Sequence, residues 1–424
     1  MHITRYEHSL AHNPAACRLF SGLLSRYLYM ATSLDFSEFF EPVNIERISS
    51  GKTFLSTQFG QLLKINTPEN GWPDLDGIKL VLIGVNEDRR CINNNGAALG
   101  PEQVRENLYK LFQGDWQMKM ADLGDIRAGH TPEDTDFALK TVLGALLKKN
   151  IIPIIIGGGQ DLTYAQYLGY EKLEQTVNVV SIDSQFDLGE AGEELNSRSF
   201  LSKIILQQPN YLFNFSNIGY QTYFVEQTAL ELMQKLNFDI HRLGQARGKM
   251  EDVEPIIRNA DLVTFDLGAI RQSEAPGNGN ASPNGFFGDE ACQLARYAGI
   301  SDKCSSFGIY ELNPAFDRKQ ATSHLVAQMI WCFVDGFYNR KHDFPFGDIS
   351  DYTRFRVFLK DHKHEIVFFK SARSDRWWME VPYPPNQKLR FERHALVPCS
   401  YNDYEEACKE EMPDRWLQTF QKLS

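Results

Sequence analysis

Long apolar runs are missing from this 424-residue sequence. No stretch approaches the ~20 consecutive apolar residues that a membrane-spanning helix needs. An excess of positive charge is missing too: the net charge is -11, which argues against non-specific binding to nucleic acid or to an anionic membrane surface. Cysteine is sparse. There are seven (Cys17, Cys91, Cys292, Cys304, Cys332, Cys399 and Cys408), an odd number with no pair at CxxC spacing. That excludes a zinc ribbon and a disulfide framework and leaves reduced thiols in a cytoplasmic protein as the expectation. Internal repeats and low-complexity segments are absent. The N-terminal segment lacks the long apolar core of a secretion signal, because its apolar part, Phe20 to Leu28, is broken by Arg26. Met30 opens MATSLDFSEFF, which reads like an ordinary protein start, so residues 1–29 are expected to be an extension outside the folded domain.

What remains is a globular composition, 42% hydrophobic and 23% charged, with 29 Phe and 17 Tyr to build a core rather than a disordered chain. From residue 79 onward, short apolar runs alternate with helical patterns. Strands are expected at Lys79–Val85, Met118–Leu123, Ile151–Ile156, Val177–Ile182, Tyr211–Ile218, Phe238–Leu243, Leu262–Phe265 and Ser306–Glu311. Helices are expected at Pro101–Phe112, Pro132–Lys149, Leu162–Leu173, Ser199–Gln207, Thr222–Leu236, Val253–Asn259, Asp289–Tyr297 and Arg318–Asn339. Runs such as IIPIII and VNVVSI are apolar throughout, as strands buried on both faces require. Eight strand–helix alternations predict a three-layer α/β/α domain over 30–342 around a mainly parallel sheet of about eight strands.

After residue 343 the pattern changes. FRVFLK, EIVFFKS and RWWMEV read as short antiparallel strands, PYPPNQK as a break, and Tyr401–Leu423 as a terminal helix or helix pair. Residues 343–424 are therefore expected to form a small β-rich and helical appendix. Its Trp377 and Trp378 either pack on the main domain or form a surface for a protein partner.

In a parallel sheet, ligands bind outside the carboxyl ends of the strands. Polar residues cluster there in four segments: GGGQDLT (157–163), SIDSQFDL (181–188), TFDLGAIRQSEAPG (264–277) and GIYELNPAFD (308–317). They single out Gln160, Asp161, Asp183, Gln185, Asp187, Asp266 and Glu311. Any one of these Asp residues could simply cap a turn. Three on adjacent strand ends would repel one another unless a cation, a proton or a basic group intervened.

Taken in order, these segments resemble the ureohydrolases, the family of arginase, agmatinase and formimidoylglutamase. The correspondence covers roughly residues 79–340. It includes Gly96-Ala-Ala-Leu-Gly100-Pro101-Glu-Gln-Val-Arg105, Asp122-Leu-Gly124-Asp125 and Glu311-Leu-Asn313-Pro314-Ala-Phe-Asp317. APGNGNASP leans toward the formimidoylglutamase and agmatinase side. The resemblance implies two manganese ions held by two His and four Asp, bridging a hydroxide that attacks a guanidino or formimino carbon.

Position by position, that ligand set is incomplete here. Asp183, Asp187 and Asp266 match ligands, whereas Gln160 and Gln185 stand where His is expected and Gly268 where Asp is expected. Amide oxygens are weaker donors than imidazole for Mn(II), and glycine offers no side chain. The expectation is a degenerate member that holds no metal tightly. It would be a non-hydrolytic protein that binds a guanidino, amidino or carboxylate ligand, or a protein partner through 343–424. In this state the amides and Arg271 would satisfy the carboxylates. The alternative is a hydrolase of a linear amidine or guanidino C–N bond with a rewired site for one divalent cation, Mn(II), Mg(II) or Ca(II). Glu311 resembles the family's acid near the substrate's cationic end, and Arg127 and Arg271 are candidates to recognise a carboxylate. His130 is expected to be a solvated loop residue and His324 a structural one. The resemblance also implies a homo-oligomer.

Overall fold

The computed structural model describes residues 35–190, 192–345, 349–359 and 364–423; the expected extension, 1–29, lies outside them. A ten-stranded sheet forms the centre. Its strands are β1 (Phe40–Glu41), β2 (Lys64–Ile65), β3 (Leu80–Val85), β4 (Met120–Ile126), β5 (Ile152–Ile156), β6 (Val177–Ile182), β7 (Leu212–Tyr220), β8 (Asp239–Arg242), β9 (Leu262–Asp266) and β10 (Ser306–Tyr310). Their spatial order is β1-β4-β3-β5-β10-β9-β6-β7-β8, with β2 also paired to β4. Only β1 runs antiparallel among the described pairings of this sheet.

All eight expected strands are present. The two extra ones, β1 and β2, are two residues each, too short to leave a periodic signal. Every residue of β3, β5, β6 and β10 is buried, as their continuous apolar runs demand.

The larger helices connecting the strands are α1 (Gly100–Leu108), α2 (Pro132–Lys148), α3 (Leu162–Leu168), α4 (Phe200–Leu206), α5 (Gln227–Lys235), α6 (Leu243–Gly248), α7 (Met250–Arg258), α8 (Gly288–Ile300) and α9 (Ala321–Tyr338). Pro132 sits at the start of α2 behind a capping box made by Thr131 and Asp134. The expected start of α9 at Arg318 is three residues early, because Lys319 (φ 58°) and Gln320 (φ 56°) are left-handed and only Ala321 begins the regular helix. Helix α6, LGQARG, has two glycines and no long apolar face, so its pattern is silent.

The C-terminal segment forms a four-stranded antiparallel sheet, in the order β11 (Tyr352–Leu359), β12 (His364–Ser371), β13 (Trp377–Glu380) and β14 (Leu396–Cys399). Two helices follow, α10 (Tyr401–Cys408) and α11 (Asp414–Leu423), so the helix-pair reading holds. Strand β14 is the unexpected element. It contains Pro398, which is tolerated because β14 is the outermost strand of this sheet. Trp377 and Trp378 are both buried, which removes them as an exposed patch. Trp377 packs in the appendix core, while Trp378 lies 4.4 Å beneath the Arg258 guanidinium.

Arg258 is the main polar tie between the two sheets. It is buried at the end of α7 and donates to the Trp377 and Cys399 carbonyls, both at 3.2 Å, while pairing with Glu254. A second tie joins Arg393 to Asp261 at 2.6 Å. Arg258→Ala would leave two buried carbonyls and Glu254 without this partner, and an expected loss of about 3–5 kcal/mol follows. Denaturant titration of the full chain measures it; a change below about 1 kcal/mol, the scale of an exposed pair, would show that Arg258 does not anchor the appendix.

Candidate functional site

The central strands β5, β10, β9 and β6 are neighbours, and all four end on the same edge of the sheet. Their next residues bring Gln160, Glu311, Asp266 and Asp183 together. Three carboxylates converge there: Asp183, Asp187 and Asp266 each place an oxygen within 4.8 Å of the others. Asp183 and Asp187 are buried and Asp266 is half-buried.

Local backbone geometry fixes these groups. Asp183 Oδ1 accepts from the Gln185 amide at 2.9 Å, and Asp266 Oδ1 accepts from the Gly268 amide at 2.5 Å. Asp187 (φ 51°) and Glu311 (φ 72°) both adopt the left-handed region, which costs a non-glycine residue of order 1 kcal/mol and concentrates at functional sites. The GGGQ turn presses against the loop after β3: a Cβ at Gly158 would lie 1.6 Å from the Glu87 carbonyl oxygen, so only glycine fits.

Electrostatics follow from burial. Burial and the Asp187 charge raise the Asp183 carboxyl well above the usual range, and burial and Asp183 do the same to Asp266. Burial pushes Asp187 up to about 7. Glu311, also raised chiefly by burial, reaches about 8. Its Oε2 accepts from Asn94 Nδ2 at 2.6 Å and its Oε1 from the Gln160 amide at 2.8 Å, with the Cys91 thiol at 3.7 Å.

The hydrogen-bond census decides between a cation and an amide-satisfied core. The Gln160 side-chain amide donates to Thr264 Oγ1 at 3.0 Å, and only the backbone N–H of Gln160 reaches a carboxylate, that of Glu311. Gln185 contributes backbone contacts: its carbonyl accepts from Asn217 at 2.7 Å. Arg271 does not pair with the aspartates. Its guanidinium lies 3.5 Å over the Phe287 ring and reaches only the Gly285 carbonyl, because its chain lies beside the loop that returns to α8. Asp183 Oδ2, Asp187 Oδ2 and Gln160 Oε1 are therefore buried acceptors with no hydrogen-bond donor among the described residues. Unpartnered buried acceptors of this kind suit a hard cation. The expectation that amides and Arg271 satisfy the carboxylates is corrected accordingly.

Arg127 is also displaced from its expected role: it is exposed beyond β4, three strands from β10. His130 is exposed on its loop, as expected, and His324 is an exposed residue of α9 bonded to Gln328. Three contributors escaped the sequence reading. Asn94 and Cys91 come from the loop after β3, where CINNNG carried no recognisable chemistry. Arg198 lies on the segment before α4; its charge acts on both Asp187 and Asp266, and its Nη2 donates to Asn280 at 2.9 Å.

Does this donor set fit two metal ions? The Gly268 position offers no donor, although an ideal Cβ there would stand 3.0 Å from Asp266 Oδ1. Neither Gln160 nor Gln185 supplies imidazole. The three aspartates, whose oxygens lie within 4.8 Å of one another, fit a hard divalent cation.

A family model described as the Arginase family matches residues 78–335. The formimidoylglutamase of Lysinibacillus sphaericus is 25% identical over 254 residues, 57% of this chain and 79% of that protein. The formimidoylglutamase of Staphylococcus epidermidis is 27% identical over 243 residues, 55% and 78% respectively. Among solved structures, Trypanosoma cruzi formiminoglutamase with Mn2+ superposes with a TM-score of 0.60 at 21% identity, covering 67% of this chain and 99% of that one. Bacillus subtilis formimidoylglutamase gives 0.60 at 20% identity, covering 70% and 96%. These structures share the fold. The sheet order, the strand-end carboxylates and the family match over residues 78–335 together show that this chain belongs to the arginase family.

Proposed function

We propose that this protein hydrolyses a C–N bond of a linear amidine at a site built for one divalent cation rather than two. The observation that carries the reading is the convergence of Asp183, Asp187 and Asp266, with buried oxygens that lack donors. The formimidoylglutamases to which the chain is similar support the substrate class. In such a reaction water adds to the amidine carbon, the C–N bond breaks, and an amine and formamide leave.

Asp183, Asp187 and Asp266 would hold the cation. When bound, a divalent cation supplies the positive charge that makes water nucleophilic near neutral pH. Glu311 then has a separate task. With a carboxyl near 8 it holds a proton at neutral pH, and an incoming amidinium would displace that proton and pair with the carboxylate. Asn94 and the Gln160 amide keep both Glu311 oxygens aimed. Arg198, at the rim, would orient an anionic group of the ligand.

A second reading is favoured by the substitutions themselves. With Gln160, Gln185 and Gly268 at three ligand positions, a non-hydrolytic protein that binds a guanidino, amidino or carboxylate ligand is the outcome if one cation does not suffice for turnover.

Elemental analysis after incubation with Mn(II), Mg(II) or Ca(II) and desalting should find one metal per chain. Two would overturn the single-cation site, and none would favour the non-hydrolytic reading. Asp183→Asn should abolish formamide, urea or ammonia release from formimino and guanidino compounds; unchanged turnover would discard the hydrolase. The triple change Gln160→His, Gln185→His and Gly268→Asp should raise the metal count to two.

Protons and the cation compete for the same oxygens, which gives a pH test. The Asp187 pKa is raised in the fold to about 7, against about 3.9 in the unfolded chain. Between those values the folded metal-free protein binds more protons, so its stability should fall as pH rises from about 4 to about 7, by an amount of order 4 kcal/mol for this group. Asp187→Asn tolerates the same left-handed backbone and should reduce that fall, leaving the part due to Asp183 and Asp266. Denaturant titrations at pH 5 and pH 8 measure it, and a saturating divalent cation should restore the stability lost at pH 8.

A further inference from the structure

A strand buried on both faces should carry apolar side chains throughout. The amino ends of β6, β7 and β8 break that rule on one face. In register, Asn178 lies opposite Asn214, Ser216 opposite Asp239, and Ile218 opposite His241. Side chains alternate along a strand, so Asn178, Asn214, Ser216, Asp239 and His241 share one face. A cavity of about 960 Å³ opens over them, closed on its other side by α6, α7, β14, α10 and α11.

Some of these polar groups are satisfied within the fold. Asp239 accepts from Asn214 at 2.6 Å and Ser216 at 2.9 Å, and Lys422 donates to Asn214 at 2.5 Å. Others have no partner among the described residues: Asn178 Oδ1, His241 Nε2 and, from the appendix, His394 Nδ1. Asn178 is 2% exposed and His394 3% exposed, and all three residues line the cavity. His394 is held flat by stacking on Phe213 at 3.7 Å, with its Nε2 at 2.8 Å from Thr176 Oγ1. An unmade buried hydrogen bond costs about 1–3 kcal/mol, so three on one wall mark a surface shaped for something that completes them.

The chemistry of that partner follows from the atoms. Asn178 Oδ1 is an acceptor. Burial lowers the pKa of both imidazoles, leaving neutral rings that each carry one N–H and one lone pair. The charged lining groups largely pair with one another, as in Lys422 with Asp239 and Arg415 with Asp403. The wall therefore asks for neutral hydrogen-bonding groups rather than for charge. We propose that this seam is a second ligand site, taking a small uncharged molecule rich in hydroxyl or amino groups. It lies about 16 Å from the aspartate cluster, the length of β6 at about 3.3 Å per residue, and at the opposite end of the sheet.

The full chain is titrated calorimetrically with glucose, myo-inositol, adenosine and cytidine at up to millimolar concentration. At least one should bind saturably. Asn178→Leu and His394→Phe should each weaken that binding about tenfold or more, the effect of one lost buried partner. Gln418→Trp, a change on the half-buried face of α11 that lines the cavity, should block it without touching the β-strands. Asp183→Asn should leave the binding intact. No saturable binding of any of the four compounds overturns the proposal. So does binding that Asp183→Asn abolishes while Gln418→Trp leaves it unchanged, which would return the ligand to the strand-end site. Failure of amidine turnover, in contrast, bears only on the carboxylate cluster.

Discussion

Repulsion among three carboxylates governs the strand-end site. Two like charges 4.8 Å apart cost roughly 3 kcal/mol at an effective dielectric near 20, and here three such contacts meet in a buried space. A fold tolerates that only if protons or a cation neutralise the cluster. The rest of the architecture enforces the crowding rather than relieving it. Parallel pairing of β6 with β9 sets Asp183 beside Asp266, and the left-handed turn at Asp187 folds a third carboxylate back upon them. The cluster is thus stable as an acid or as a complex, and unstable as a bare trianion.

That constraint also bears on Gln160, Gln185 and Gly268, which stand where the family resemblance implies ligands. No positive charge is aimed at the aspartates from these positions. Arg271 is engaged with Phe287, and Arg198 acts only from the rim. A protein core evolving away from metal binding would be expected to replace one aspartate by a neutral residue, or to aim a guanidinium or amide at it. The Gln160 amide instead serves Thr264 and turns its oxygen to no donor. The unpartnered oxygens are left to a proton or a cation rather than to amide donors.

Much of this was legible in the sequence because buried parallel strands write themselves as continuous apolar runs, and strand-end chemistry sits at predictable places beside them. Asp183, Asp187, Asp266, Gln160 and Glu311 were readable for that reason. Arg271 was misread because sequence gives the loop but not the direction of a side chain within it, and stacking on Phe287 is a tertiary fact. Arg127 was misread because β4 lies near the sheet's edge, a matter of strand order rather than of sequence. Asn94, Cys91 and Arg198 reach the site across long separations in the chain, and no local pattern marks them. Strand β14 was hidden by its proline, which looks like a break until its position at the sheet edge is known.

The two ends of the sheet have opposite needs. At the carboxyl ends, acceptors crowd together and call for positive charge. At the amino ends of β6 to β8, polar side chains stand where a doubly covered sheet should be apolar, and an exposed edge there would be poorly protected. The appendix covers that end, and it does so with polar contacts. Arg393 reaches Asp261, Lys422 reaches Asn214, and His394 reaches Thr176. A purely structural cap would more economically bury apolar surface against apolar strands. Because both sides of the seam are polar, and because they leave a cavity rather than close on each other, polarity at β6 to β8 is better explained as a property the two parts share for a ligand than as a defect that the appendix merely hides.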